Sequence, residues 1–331
     1  MPLSTTFIRA AGTLLSRAGR AAPLTVLMYH RVLPAPDALT DSVDARDFEL
    51  QMRALSEYFT VLPLAEAAER LRAARLPSRA VAITFDDGYA DNETIALPIL
   101  KAHGLHATFF VADGFLNGGR MFNDTVIEAL RRIPGSVALD LPGLPPALPT
   151  TSVAQKRDAI ARILRVAKYL EPEQRSLTVE RISRLAESPL PDNLMMTHEQ
   201  VRTLARDGME VGGHTVNHPI LSSVDVDTAR REIELNRRNL SAITGAEPRL
   251  FAYPNGVPGK DFEYRHTQLV GAAGYDAAVT TSWGAARPGN DLYQLPRFTP
   301  WDRDAKRFAL RLMHNLVARR PDILTADRGA Q

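Results

Sequence analysis

The sequence predicts an α/β fold, a parallel sheet closed or nearly closed into a distorted (β/α) barrel and interrupted by a helical insertion. Three observations predict it. Short apolar runs of strand length alternate with stretches of helical periodicity from Leu24 onward, the pattern of βα units feeding a parallel sheet. Between Phe115 and Leu194 that alternation stops, and only helical periodicity and a Pro-rich stretch remain. The alternation then resumes. Two chemically distinctive strings, Thr84-Phe85-Asp86-Asp87-Gly88 and His214-Thr215-Val216-Asn217-His218, each stand where a strand candidate ends. In α/β folds that is where sites collect.

The chain begins with a segment, Met1 to Ala22, in which Phe7, Ile8, Ala11, Leu14, Leu15 and Ala18 recur at helical spacing with Arg9, Arg17 and Arg20 mostly between them. An amphipathic helix packed on the domain is the expectation, with a peripheral membrane contact as the other reading. The segment lacks the uninterrupted apolar stretch of a signal peptide, and nothing elsewhere has the length of a transmembrane span. The expected location is therefore the cytoplasm or the periphery of the inner membrane.

Thr25 to Tyr29 reads as the first strand and ends at His30. Phe48, Met52, Leu55 and Phe59 mark a helix with Asp44 as its N-cap. Ala80 to Phe85 is a strand, followed by a helix that Pro98 kinks or divides and that stops near Gly104, then a strand over Ala107 to Val111. In the insertion, residues 115–194, helices are expected at Asn123 to Arg132, around Ile160, Ile163, Leu164 and Ala167, and around Ile182 and Leu185. The run from Leu141 to Pro149 carries four prolines and reads as an extended loop. Thr197 and Gln200 form a capping-box pair ahead of the next helix. Strands at Met209 to Gly213, Leu250 to Tyr253 and Ala277 to Thr280 follow, with helices from Asp227 to Ile243 and from His266 to Ala273 between them. The barrel region spans residues 23–303, and a tail, 304–331, carries Phe308, Leu312 and Val317 at the spacing of a surface helix.

Composition narrows the function classes. A chain of 331 residues with 45% hydrophobic and 24% charged residues buries a sizeable core. The net charge of +2 and the lack of a Lys/Arg block interleaved with aromatics give nucleic-acid binding no support. Cysteine is absent, which removes disulfides and thiolate ligands and is compatible with either redox compartment. What stands out is the pairing of two carboxylates at one strand end with two imidazoles four residues apart at another. One carboxylate and two imidazoles suit Zn²⁺ and leave a coordination position open. The second carboxylate is then free to act as a base. The combination points to metal-assisted hydrolysis.

In these strings the chain resembles the polysaccharide deacetylase family, carbohydrate esterase family 4, whose signature is Thr-Phe-Asp-Asp-Gly followed by His-Ser/Thr-x-x-His. The likeness runs from about residue 24 to about residue 300, with an unmatched middle. It implies a deacetylase-type barrel with Asp86 as general base and Asp87, His214 and His218 as metal triad. Phe251-Ala252-Tyr253-Pro254-Asn255-Gly256 takes the place of the family's third motif. The acid histidine, commonly last in a Leu-x-His segment, is replaced here by Leu295-Pro296-Arg297. His30 resembles instead a circularly permuted branch that carries this histidine first; His314 is the weaker contender. The third-motif Arg is replaced by Ala252, so Arg297, ahead of Arg249, is expected to orient the base. Asn255, through its backbone N–H, is expected with Tyr253 and Arg297 on the substrate and oxyanion side.

The resemblance implies a divalent ion, Zn²⁺ first, and a substrate that is an N-acetylated oligo- or polysaccharide or a glycan precursor. An O-acetyl carbohydrate esterase would use the same machinery. A non-catalytic carbohydrate-binding relative is the third reading, disfavoured because all four core residues, the base included, are retained.

Overall fold

A computed structural model describes residues 18–19, 21–139, 141, 143–317 and 323–325. The expected N-terminal amphipathic segment thus lies almost wholly outside the described residues, as do 318–322 and 326–331 of the tail. The chain forms two compact units. One takes the residues up to Ala35, Val43–Leu116 and those from Met196 onward; the other takes Pro36–Ser42 and Asn117–Met195.

The first unit is a nearly closed parallel barrel. Its strands are β1 (Leu24–Tyr29), β5 (Ala80–Phe85), β6 (Thr108–Val111), β9 (Glu210–Gly213), β10 (Leu250–Ala252), β11 (Ala277–Trp283) and β12 (Leu295–Arg297), paired in that order. The short β4 (Thr60–Val61) pairs beside the start of β5, and β2 (Val32–Leu33) with β3 (Val43–Asp44) makes a small ladder apart from the barrel. Phe298 closes the ring just beyond β12: Met28 donates to its carbonyl at 3.0 Å and its own N–H reaches the Val26 carbonyl at 2.8 Å.

Strand periodicity divides the barrel residues between two cores. Leu24, Val26, Ala80, Ala82, Ala252, Ala277 and Val279 belong to one cluster with Phe110. Leu27, Tyr29, Ile83, Phe85 and Phe109 belong to another with Phe48, Met52 and Leu55 of the helix Ala45–Tyr58. Alanines dominate the first set because seven strands enclose little room. In the second, Tyr29, Phe85 and Phe109 stack in a row across three strands, with centroids 5.3 and 4.8 Å apart.

Helix signals were realised at several termini. Asp44 caps Ala45–Tyr58 by accepting from the Asp47 N–H, and Thr197 with Gln200 forms a full capping box on His198–Arg206. Gly245 ends Val226–Thr244 in the left-handed region. Pro98 falls in the first turn of Leu97–Ala102, downstream of a π-helical turn, Asn92–Ala96. The tail helix Ala305–Val317 is more than a surface element: Phe308, Ala309 and Leu312 are fully buried in the outer core. No described helix is long and apolar enough to cross a membrane.

The second unit packs Phe122–Arg132, Val153–Ala167 and Pro172–Arg184 around Val126, Leu130, Ile160, Ile163 and Ile182. The expected loop at 141–149 is not wholly irregular, since β8 (Leu148–Pro149) pairs antiparallel with β7 (Ser136–Val137). The distant loop 36–42 joins this unit through Leu39 in its core and a bidentate pair from Arg131 to Asp37 at 3.0 and 2.8 Å.

Candidate metal and hydrolytic centre

Parallel register brings the chemistry to one end of the barrel. Tyr29 pairs with Phe85, Val111 with Gly213, and Gly213 with Phe251, so the residues that follow these strand ends meet. Asp86 and His30 are the next residues on β5 and β1, and the Asp86 N–H donates to the Tyr29 carbonyl at 3.0 Å.

Asp86 and Asp87 are adjacent yet face different partners. Arg297 holds both Asp86 oxygens, Oδ1 at 2.6 Å and Oδ2 at 2.7 Å. The guanidinium also donates to Thr280 O at 2.9 Å and Thr84 Oγ1 at 3.2 Å, so it is fixed from both sides. Burial, the largest single influence, opposes ionisation of Asp86, but Arg297 and the neighbouring histidines together outweigh it and hold the carboxyl below its ordinary range. Arg249, the other contender, pairs instead with Glu69 and Asp276 in an exposed position.

Asp87 turns away from Asp86 because its backbone is left-handed, with φ of 76°, ahead of Gly88 at 92°. Its Oδ1 lies 3.3 Å from His214 Nε2 and 3.4 Å from His218 Nε2. The three candidate ligand atoms lie within 4.8 Å of one another. His214 Nδ1 is 2.7 Å from the Ala252 carbonyl, which can only accept; Nδ1 therefore carries the proton and Nε2 presents its lone pair. Burial drives His218 down to about 4, so that imidazole is neutral too. Burial also opposes the His214 imidazolium, but the neighbouring carboxylates outweigh it and raise the value. With His214 neutral, two nitrogen lone pairs and a carboxylate oxygen face one point, a donor set that suits a cation. The residues fit a divalent ion.

The His214–His218 loop is strained and clamped. Thr215 and His218 both have positive φ, 61° and 52°, a cost that persists only where surroundings over-determine the conformation. Glu232 Oε2 accepts from the Val216 and Asn217 N–H groups at 2.9 and 2.8 Å, and its Oε1 from Asn217 Nδ2 at 2.7 Å. Asn236 accepts the His214 N–H at 2.9 Å and donates to Val111 O at 3.0 Å. A Cβ at Gly213 would meet Tyr275 Oη at 2.1 Å and Asn236 Oδ1 at 2.7 Å, so only glycine admits these groups. Sequence reasoning missed Glu232 and Asn236: polar residues inside a helical run look like a solvated face.

The remaining expected residues separate. His30 is exposed at the exit of β1, directly after Tyr29, whose carbonyl accepts from the Asp86 N–H. His314 is exposed on the tail helix. Asn255 is half-buried at the β10 exit, with φ of 60°. Tyr253 lies inside the fold. Its ring stacks on Phe262 with centroids 3.9 Å apart, its hydroxyl donates to Tyr293 O, and its N–H donates to Val279 O. Both donors are engaged inside the fold. The third-motif residue that does reach the centre is Ala252, through its carbonyl.

A family model described as polysaccharide deacetylase matches residues 73–133 and 158–278. The Bacillus subtilis (strain 168) protein YxkH, assigned by name to the polysaccharide deacetylases, is 23% identical over 283 residues, covering 84% of this chain and 71% of that one. Two solved structures share the fold. Streptococcus pyogenes deacetylase PplD in complex with acetate has a TM-score of 0.60 at 20% identity, covering 88% of this chain and 99% of its own. IcaB from Ammonifex degensii has a TM-score of 0.56 at 20% identity, covering 89% and 97%.

Proposed function

Because the chain belongs to the polysaccharide deacetylase family, and is an enzyme of that deacetylase class, we propose that it hydrolyses N-acetyl groups on the sugars of a polysaccharide or glycan precursor. The observation that carries this reading is the division of labour between neighbouring carboxylates: Asp86 is held by Arg297, while Asp87 faces two imidazole nitrogens. Asp87, His214 and His218 would hold a divalent ion, with Zn²⁺ the first candidate for this ligand set. Such an ion, when bound, supplies Lewis acidity to the acetyl carbonyl and lowers the pKa of water.

The chain's own groups then have distinct tasks. Asp86 stays ionised because Arg297 compensates its burial, and its remaining lone pairs take the proton of the attacking water. The guanidinium fixes the plane of that carboxylate. Asn255, at the β10 exit, offers its backbone N–H to the oxygen that gains negative charge. His30, at the exit of the neighbouring strand β1, holds the proton that the leaving amine needs, since an amide nitrogen departs poorly as an anion. Chain order does not matter to this chemistry, because strand ends at one barrel face converge.

Acetate release from a panel of N- and O-acetylated oligosaccharides, before and after chelation, tests the proposal. Chelator-sensitive release from N-acetylated members is the expected result. Release from O-acetylated members alone would make the protein an esterase, and no release from any would leave a carbohydrate-binding barrel.

A further inference from the structure

We propose that Asp91 and Asn92 are positioning residues that aim His30 at the reacting centre, an inference that rests on His30 serving as the acid. The four residues Tyr29 to Val32, which lead the chain out of β1, are each tied to the segment that begins with the paired aspartates. The Asp86 N–H holds the Tyr29 carbonyl at 3.0 Å. Asn92 Nδ2 donates to the His30 carbonyl at 2.8 Å. Arg31 Nε donates to Asp91 Oδ2 at 2.8 Å, with its guanidinium 4.9 Å over the Tyr89 ring. The Val32 N–H donates to Asp91 Oδ1 at 3.0 Å. One dipeptide therefore grips His30 and the two residues that follow it. The His30 side chain is exposed, so the restraint on where it points comes from the backbone beneath it.

Burial says that this grip is more than a solvated turn. Asp91 is 7% exposed and Asn92 is fully buried. Asn92 Oδ1 has no hydrogen-bond partner among the described residues. A buried amide oxygen left unpaired is destabilising, and a leucine of similar shape would remove the penalty. What the side chain supplies is its amide donor, to the His30 carbonyl at 2.8 Å and to Asp91 Oδ1 at 3.2 Å. Asn92 also opens the π-helical turn Asn92–Ala96, and such wide turns recur at functional sites.

Asn92→Leu removes the donor and the orphaned oxygen together, so the thermal midpoint should hold or rise. Its kcat on an N-acetylated oligosaccharide should fall by about 10- to 100-fold, within the range of a general acid's contribution. On an aryl acetate, whose phenolate leaves without protonation, the loss should stay under about 3-fold. Asp91→Asn loses the ion pair with Arg31 but keeps an acceptor for Val32; it should move the same ratio less, and it carries the test if Asn92→Leu does not fold. In a His30→Ala background neither change should lower amide hydrolysis further. Equal losses on both substrates, or an added loss in the His30→Ala background, would overturn the positioning role and leave the acid in place. An unchanged substrate ratio in His30→Ala alone would overturn the acid and, with it, this inference.

Discussion

Asp86 accepts both arms of the Arg297 guanidinium, and Asp87 none of it. Replacing Asp86 by Asn should therefore abolish turnover while metal content stays near the wild-type level, because a base matters in the transition state. Elemental analysis beside kcat reads both quantities, and loss of the ion would mean that the two aspartates have been exchanged. Arg297→Lys should lower kcat by about 10-fold or more without loss of metal, since a point charge cannot span two carboxylate oxygens. The four core residues were legible because their chemistry is written in two contiguous strings. Arg297 was legible only as an arginine after a late strand candidate, and Arg249 competed with it. The surroundings of Tyr253 were not legible, because side-chain direction at a strand end depends on neighbouring elements, here Phe262 and Tyr293.

At the scale of elements, the His214–His218 loop owes its shape to a helix rather than to itself. Val226–Thr244 contributes Glu232 and Asn236, which satisfy the loop's N–H groups at Val216, Asn217 and His214. Glu232→Ala should weaken metal affinity by about 10- to 100-fold, the usual scale for a residue that orients ligands, with helical content unchanged. Chelator competition measures the affinity and circular dichroism the fold. Unchanged affinity would mean that Gly114, whose N–H holds Val216 O at 3.0 Å, is enough to hold the loop. Strands and helices themselves were readable from periodicity and caps. The π-helical turn before Pro98 was not, because it widens a helix without altering the apolar spacing that signals one. Nor was the burial of the tail helix, whose apolar face reads the same whether or not a partner covers it.

Barrel closure joins residues far apart in the chain, Val26 and Met28 with Phe298, and no local pattern announces it. Stability of the whole molecule should accordingly follow groups spread around the ring, and histidines dominate just below neutrality. Burial lowers His218 and His266 from 6.5 to about 4 in the folded chain. As pH falls through 6.5 the unfolded chain takes up these protons and the folded one does not, so stability drops across the window from 6.5 to 4. His214 has the opposite shift; its contribution is complete below 6.5 and fades only as pH rises through its elevated value, so it adds no slope in that window. A bound ion adds to the contrast, because it stabilises only the folded chain and requires its imidazoles neutral. His266 separates the two effects. It lies on Tyr264–Ala272 and is not one of the candidate ligands, and its Nδ1 accepts the Glu263 N–H at 2.9 Å, which protonation of that nitrogen would abolish. His266→Gln keeps an acceptor at that helix position and removes the titration. The variant should lose about 1–2 kcal/mol less than the wild type between pH 6.5 and pH 4 in denaturant unfolding, with acetate release at neutral pH unchanged. Parallel curves for the two proteins would place the acid sensitivity at the metal triad instead.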